Sequence, residues 1–171
     1  MRPLLLSAMW LSLALSDARI DPILAIPITS EFLNDKTIRG YFADLLGEAG
    51  FGHWHTERAA FLVRDSNGEH RCVAWPFTGD FHQQQFHGSI PDGTVAIVHT
   101  HPEKLPLPSK QDQRTATSLS VPIFVLTPRD IYLVTSSGET IPVVENQFWP
   151  PVSGASSTRC SAATARASRR R

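Results

Sequence analysis

The spacing of apolar residues predicts two helices in the chain. Apolar residues recur at helical spacing between residues 30 and 47, with Ser30 as the expected N-cap and Gly47 or Gly50 as a stop. A second helix is expected over residues 109–119, with Ser109 as its N-cap. The apolar positions of the first helix are Ile38, Tyr41, Phe42, Leu45 and Leu46.

Short apolar runs bounded by turn residues predict the strands. Residues 59–63 and 72–77, joined by turn residues at 64–68, form an expected β-hairpin. The later runs lie at residues 94–99, 121–126, 131–135 and 140–144. The order is helix, three strands, helix, then two or three strands. This order indicates an α/β (α+β) domain with helices packed on a central sheet.

The N-terminal end of the chain has the pattern of a targeting segment. An apolar run over residues 4–15 follows Met1 and Arg2, and it is too short to span a bilayer. Small residues at Ala14 and Ser16 fit a cleavage site, so a secretory signal peptide is predicted over residues 1–16. A buried N-terminal helix is the alternative. No other stretch is long and apolar enough to be transmembrane.

The C-terminal end has the composition of a disordered tail. It contains no aromatic residue after Trp149 and a single large aliphatic residue, Val152. Such a segment cannot bury enough surface to order itself, so disorder is expected over residues 150–171. The chain of 171 residues is then one domain over residues 22–149 between two terminal segments.

Charge differs between the body and the tail. The chain has 16 basic and 16 acidic side chains, but five Arg and no acidic residue fall in residues 152–171. The rest of the chain therefore carries a formal charge of −5. This balance argues against a generally basic nucleic-acid binder, and no nucleic-acid partner is expected.

The two cysteines exclude some kinds of site. Cys72 and Cys160 are too few for a disulfide framework and lack Cys-x-x-Cys spacing. Cys72 is expected to be a small buried hydrophobic residue, and Cys160 a free thiol in the tail. A metal site in this chain would therefore use histidine and carboxylate ligands.

Two histidines mark the end of the predicted strand at residues 94–99. Alternate residues of a strand point to the same side, so His99 and His101 present two imidazoles to one point in space. Seven residues separate His101 from Ser109, and two more separate Ser109 from Asp112. Ser109 and Asp112 lie on the same helix face. Two imidazoles and one carboxylate are a set that suits a catalytic zinc with an open fourth position.

Each of these residues also has a structural interpretation. Two histidines near a strand end are common as surface or core side chains. Ser109 is an ordinary N-cap, and Asp112 is an ordinary first-turn acid favoured by the helix dipole. Ser109 and Asp112 at matching distances from the histidines favour the metal site.

The combined spacing resembles the JAMM signature of the JAB/MPN domain metalloproteases. That signature is an upstream Glu, then His-x-His, seven residues, Ser, two residues and Asp. His99, His101, Ser109 and Asp112 match it without a gap. The resemblance implies a three-layer α/β/α fold with a central mixed β-sheet. It also implies one Zn²⁺ per chain, held by His99, His101 and Asp112.

The upstream Glu of the signature corresponds to Glu57, which precedes the predicted strand at residues 59–63. The match departs from the family pattern at Ala60, where Gly is usual. Glu48 is the alternative, although it ends a predicted helix. The resemblance implies that Glu57 takes a proton from the zinc-bound water and passes it to the leaving amine. It also implies that Ser109 donates a hydrogen bond to the developing oxyanion.

The function expected from this resemblance is that of a zinc-dependent metallopeptidase or isopeptidase. Its substrate would be a peptide or an isopeptide-linked protein, with a ubiquitin-like protein as one such partner. A non-catalytic interaction module with the same fold is the alternative. If the signal peptide is real, the protein is exported or periplasmic, and otherwise it is cytoplasmic.

Overall fold

A mixed β-sheet of seven strands forms the centre of the protein. The structure is a computed structural model and describes residues 31–53, 56–76, 86, 88–150 and 159–162. In chain order the strands are β1 (Ala59–Arg64), β2 (His70–Ala74), β3 (Thr94–Thr100), β4 (Ile123–Leu126), β5 (Ile131–Val134), β6 (Thr140–Val144) and β7 (Ser161–Ala162). The helices are α1 (Lys36–Glu48), before β1, and α2 (Lys110–Leu119), between β3 and β4, and residues 31–34, directly before α1, are also helical.

The strands lie in the order β6-β5-β4-β3-β1-β2-β7. The pairs β3–β4 and β2–β7 are parallel, and the other neighbours are antiparallel. This confirms an α+β architecture with a central mixed sheet. A parallel pair cannot be joined by a tight turn, so the chain crosses from β3 to β4 through α2.

Helix α1 buries the apolar residues that the helical spacing predicted to face the core. All five predicted apolar positions are buried, which confirms the core-facing stripe. The predicted N-cap, Ser30, lies outside the described residues. The structure instead caps α1 at Asp35, whose Oδ1 accepts hydrogen bonds from the backbone N–H groups of Thr37 and Ile38 at 2.7 and 3.3 Å.

The core divides into two clusters, one on each face of the sheet. One cluster joins α1 to alternate strand residues such as Leu62 and Val98. The other joins Ala116 of α2 to the intervening residues, such as Phe61 and Ile97. Successive strand residues point to opposite faces, so α1 and α2 pack on opposite sides of the sheet.

The predicted hairpin is present, but its second strand starts earlier than expected. Strand β2 begins at His70, which pairs with Arg64 of β1, rather than at residue 72. The turn is tightened by Asp65, whose Oδ1 accepts from the N–H groups of Asn67 and Glu69 at 2.8 and 3.0 Å. The strand also ends earlier than expected, at Ala74 rather than at residue 77, which itself lies outside the described residues.

The expectation of a free thiol at Cys160 was wrong, because Cys160 forms a disulfide bond with Cys72 of β2. Cys72 is buried in the core as expected, but as half of this disulfide. The bond joins residues 88 positions apart in the chain. Spacing rules for clustered cysteines do not register a single long-range pair, because the pairing depends on how the strands are arranged.

The structure also differs from the expected disordered tail at residues 159–162. Strand β7 pairs in parallel with Val73 and Ala74 of β2, and the hydroxyl of Ser161 donates to the carbonyl of Cys72 at 3.1 Å. Both residues of β7 are exposed, so apolar burial does not order them. The disulfide and the backbone pairing hold this segment, and composition alone does not reveal either.

Two other expectations concern the ends of the chain and the membrane. The predicted signal peptide at residues 1–16 lies outside the described residues, as does the remainder of the predicted tail beyond residue 150, apart from 159–162. Within the part of the chain that the structure describes, no helix has both the length and the apolar character needed to cross a bilayer.

Cys160→Ser should lower the free energy of unfolding by about 4 kcal/mol, because an 88-residue separation closes a long loop in the unfolded chain. Urea unfolding of the oxidised full chain and of the variant measures this difference. Wild-type protein treated with a dithiol reductant is the matched control and should unfold like the variant. Two free thiols in untreated, folded wild type would contradict the disulfide.

Candidate metal centre

His99 and His101 come from the end of β3 and lie on the face of the sheet covered by α2. The alternation of β3 places Ile97 in the cluster that contains Ala116 of α2, and His99 continues on that face. The register extends past the strand, because the N–H of His101 donates to the carbonyl of Leu126 at 2.9 Å. The two imidazole rings have centroids 4.8 Å apart.

Asp112 reaches the two histidines from the first turn of α2. The carboxylate atom Oδ1 lies 3.2 Å from Nε2 of His99, and Oδ2 lies 3.8 Å from Nε2 of His101. One ligand atom from each of the three residues lies within 4.8 Å of the other two. The structure therefore brings together the three predicted ligands, which are 13 residues apart at most in the sequence.

A backbone contact sets the orientation of His101. Its Nδ1 lies 3.0 Å from the carbonyl oxygen of Leu105, which can only accept a hydrogen bond. Nδ1 therefore carries the proton in the neutral ring, and Nε2 has a free lone pair on the side of Asp112. Holding the second ring nitrogen in this way is how metal-binding histidines are commonly oriented.

Ser109 fixes the position of Asp112 through a capping box. The backbone N–H and the hydroxyl of Ser109 donate to Oδ2 of Asp112 at 2.6 and 2.7 Å, and the N–H of Asp112 faces the Ser109 hydroxyl oxygen at 3.2 Å. The predicted N-cap of this helix is confirmed. One carboxylate oxygen is engaged by the cap, while the other is directed at His99.

The site is built for a neutral imidazole beside an ionised carboxylate. Burial, helped by the charge on His99, lowers the pKa of His101 to about 4. Burial acting alone would raise the pKa of Asp112, but the adjacent His99 imidazole and the hydrogen bonds from Ser109 outweigh it and hold that pKa well below its usual range. At neutral pH His101 and Asp112 are therefore in their metal-binding protonation states.

The donor set fits a divalent metal. His99 Nε2 is buried, and its nearest charged neighbour is Oδ1 of Asp112 at 3.2 Å. A divalent cation shared by this nitrogen, Asp112 and His101 would compensate the burial of these polar groups. Imidazole nitrogen and carboxylate oxygen are ligands that zinc, among other first-row metals, accepts.

Glu57 lies two residues before β1. Strand β1 pairs Ala59 with His99; next to this pair, the N–H of Thr100 donates to the carbonyl of Arg58 and the N–H of Arg58 donates to the Thr100 hydroxyl, each at 2.9 Å. Alternation along an extended chain assigns Glu57 to the face of the sheet that carries Ala59 and His99. Glu57 is partly buried at this position.

Glu48 lies on the other side of the sheet. It is the last residue of α1, which packs on the opposite face from α2, and its carboxylate is 3.7 Å from Nε of Arg58. Arg58 directly precedes Ala59 and follows Glu57, so its side chain alternates away from the histidines. The geometry therefore favours Glu57 over Glu48 as the acid nearest the cluster.

Sequence reasoning missed the contribution of Leu105. Its carbonyl orients His101, but any residue type provides a backbone carbonyl, so the sequence does not identify this contact. The only available indication is that Leu105 lies in the loop directly after the strand end. Two other histidines have structural contacts instead. His53 lies 3.9 Å from Glu103, and His70 is buried between α1 and the hairpin, with Nδ1 3.4 Å from Asp35.

Comparison of the chain with protein-family models and with curated proteins gives no match. The geometry of the cluster, rather than a relative, is therefore the basis for a function.

Ser109→Ala should weaken Zn²⁺ binding by about tenfold, because it removes the hydroxyl that holds Asp112 in place. Competition against a chromophoric chelator measures the affinity. Ser109→Thr retains the hydroxyl and is the matched control, expected to bind like wild type. Equal affinity in Ser109→Ala and wild type would contradict the positioning role.

Chelator-treated protein should become less stable as the pH falls from about 6.5 towards 4. His101 has a pKa lowered to about 4, so in this interval the unfolded chain binds a proton that the folded chain does not. The loss approaches about 1.4 kcal/mol per pH unit for this one group. Urea unfolding across the interval, with His101→Gln as control, measures it. A His101 ring titrating near pH 6.5 by NMR would contradict the expectation.

Proposed function

We propose that this protein is a zinc-dependent metallopeptidase or isopeptidase of the JAMM type, built on a JAB/MPN-like three-layer α/β/α domain. The observation that carries the proposal is the convergence of His99, His101 and Asp112, whose ligand atoms lie within 4.8 Å of one another. The packing of α1 and α2 on opposite faces of the sheet supports the layered fold.

His99, His101 and Asp112 would hold one zinc ion. The two imidazoles would contribute Nε2, and Asp112 would contribute the carboxylate that Ser109 anchors. Zinc held there would supply Lewis-acid chemistry, which activates water and polarises an amide carbonyl at neutral pH. A set of three protein ligands is typical of catalytic rather than structural zinc sites.

Glu57 is the general base and then the general acid of the reaction. Its position two residues before Ala59, which pairs with His99, supports this role, since a base must lie within reach of the attacking water. The Glu57 carboxylate takes a proton from water as the oxygen–carbon bond forms. It then gives that proton to the amide nitrogen as the carbon–nitrogen bond breaks, so the carboxylate is regenerated at the end of the cycle.

Ser109 has two tasks in this scheme. Its backbone N–H stays on Oδ2 of Asp112 at 2.6 Å and keeps the carboxylate in place. Its hydroxyl, which donates to the same oxygen at 2.7 Å, rotates to donate to the oxyanion of the substrate instead. The anchor on Asp112 is therefore retained while the hydroxyl is used for catalysis.

Glu57→Gln should keep zinc and lower the rate of amide hydrolysis by about 100-fold or more. The glutamine side chain cannot take the proton from water. Hydrolysis is followed with fluorogenic peptide and isopeptide substrates, including a ubiquitin-like conjugate, and metal content is measured in parallel. Glu48→Gln is the matched control and should retain both. Activity that survives in Glu57→Gln and is lost in Glu48→Gln would reassign the base. Zinc-loaded wild type inactive on every amide would favour a non-catalytic interaction module.

A further inference from the structure

A cavity of about 340 Å³ opens at the edge of the sheet where β3 and β4 end. It adjoins the metal centre along the chain, because Glu103 in its wall is two residues beyond His101, a span of at most about 7 Å. We call it the aromatic cavity, and it is lined by Phe51, His53, Glu103, Pro128, Arg129 and Phe148. None of these residues has a task in the proposed chemistry.

Phe51 is held in the aromatic cavity by an unusual backbone. It has a φ of 51°, in the left-handed region that bulky residues rarely adopt, between Gly50 and Gly52. Its N–H donates to the carbonyl of Leu46 at 2.7 Å, which fixes this conformation at the end of α1. The ring is nevertheless 42% exposed. Backbone strain of this kind is found preferentially at ligand-binding positions.

Phe148 is also exposed on a fixed backbone. It is 59% exposed, yet both neighbours are anchored: the N–H of Gln147 donates to the carbonyl of Arg129 at 3.0 Å, and the indole N–H of Trp149 donates to the carbonyl of Thr127 at 2.6 Å. Ordering an apolar side chain in water gains nothing for folding. Because its backbone is already fixed by these neighbours, the exposed ring can be covered by a ligand with little further loss of backbone entropy.

Arg129 supplies a positive charge at the same cavity. No carboxylate of the described residues lies within 4.0 Å of its guanidinium group. The adjacent Asp130 is turned inward, where its two oxygens accept from Thr127 and Asn146 at 3.0 Å each. The guanidinium is thus available to a carboxylate on a ligand.

From these observations we infer that the aromatic cavity is a substrate subsite for an extended polypeptide segment that carries a large apolar side chain beside an acidic residue. The apolar side chain packs between Phe51 and Phe148, and the carboxylate pairs with Arg129. The inference rests on the proposed function, since the subsite serves the neighbouring metal centre. It assigns the substrate to polypeptides rather than to short crosslinks made of small residues.

Fluorescence anisotropy with labelled nonapeptides tests the subsite. Three probes share a Gly/Ser sequence and differ at two central positions, which are Phe-Glu, Phe-Lys or Ser-Glu. The full chain is treated with chelator, so that binding is measured without zinc and without hydrolysis. Wild type should bind the Phe-Glu probe about tenfold more tightly than either of the others. Equal or undetectable binding of all three probes would overturn the inference.

Two variants and one control assign the binding to the aromatic cavity. Phe148→Ala should reduce Phe-Glu binding to the level of the Ser-Glu probe, and Arg129→Glu should reverse the preference between Phe-Glu and Phe-Lys. A purely structural role of Arg129 would not reverse a charge preference. Ile90→Ala removes an exposed apolar side chain outside the cavity and should bind like wild type.

Unchanged binding in Phe148→Ala and Arg129→Glu would overturn the inference. These results do not depend on zinc, so they are separable from a failure of the proposed function.

Discussion

The parallel pairing of β3 with β4 is the constraint on which the metal centre depends. Parallel neighbours require a crossover, and here the crossover is a short loop followed by α2. Because the loop is short, α2 begins at the edge of the sheet where β3 ends. Asp112, in the first turn of that helix, arrives beside His99 and His101, which are the last residues of the β3 register. Without this crossover the three side chains would have no reason to meet.

The residues that could be predicted from the sequence are those whose positions follow from local periodicity. The buried stripe of α1, the cap at Ser109 and the shared face of His99 and His101 all follow from the repeats of helix and strand. The contact of Asp112 with the histidines was also predicted, because the loop between them is short. A group of three side chains that could hold a metal ion can thus be predicted from spacing, whereas the identity of an ion and its chemistry cannot.

The features that could not be predicted depend on contacts between distant parts of the chain. The disulfide between Cys72 and Cys160 requires β7 to lie against β2, and the composition around Cys160 indicates only a tail. The carbonyl of Leu105 that orients His101 has no residue-type signal. The interruption of the first helix at Asp35 was not predicted: residues 31–34 are helical, but Asp35, a residue type that favours the N-cap position, begins α1 again at Lys36.

The most direct test of the metal centre is the zinc content of the full chain purified without chelator, measured by mass spectrometry. Wild type is compared with His101→Ala and Asp112→Ala, and with His53→Ala as a control for an exposed histidine outside the cluster. We expect about one zinc per chain in wild type and in the control, and none in the two cluster variants. Folded wild type that binds no metal even when zinc is supplied, or cluster variants that retain it, would contradict the account.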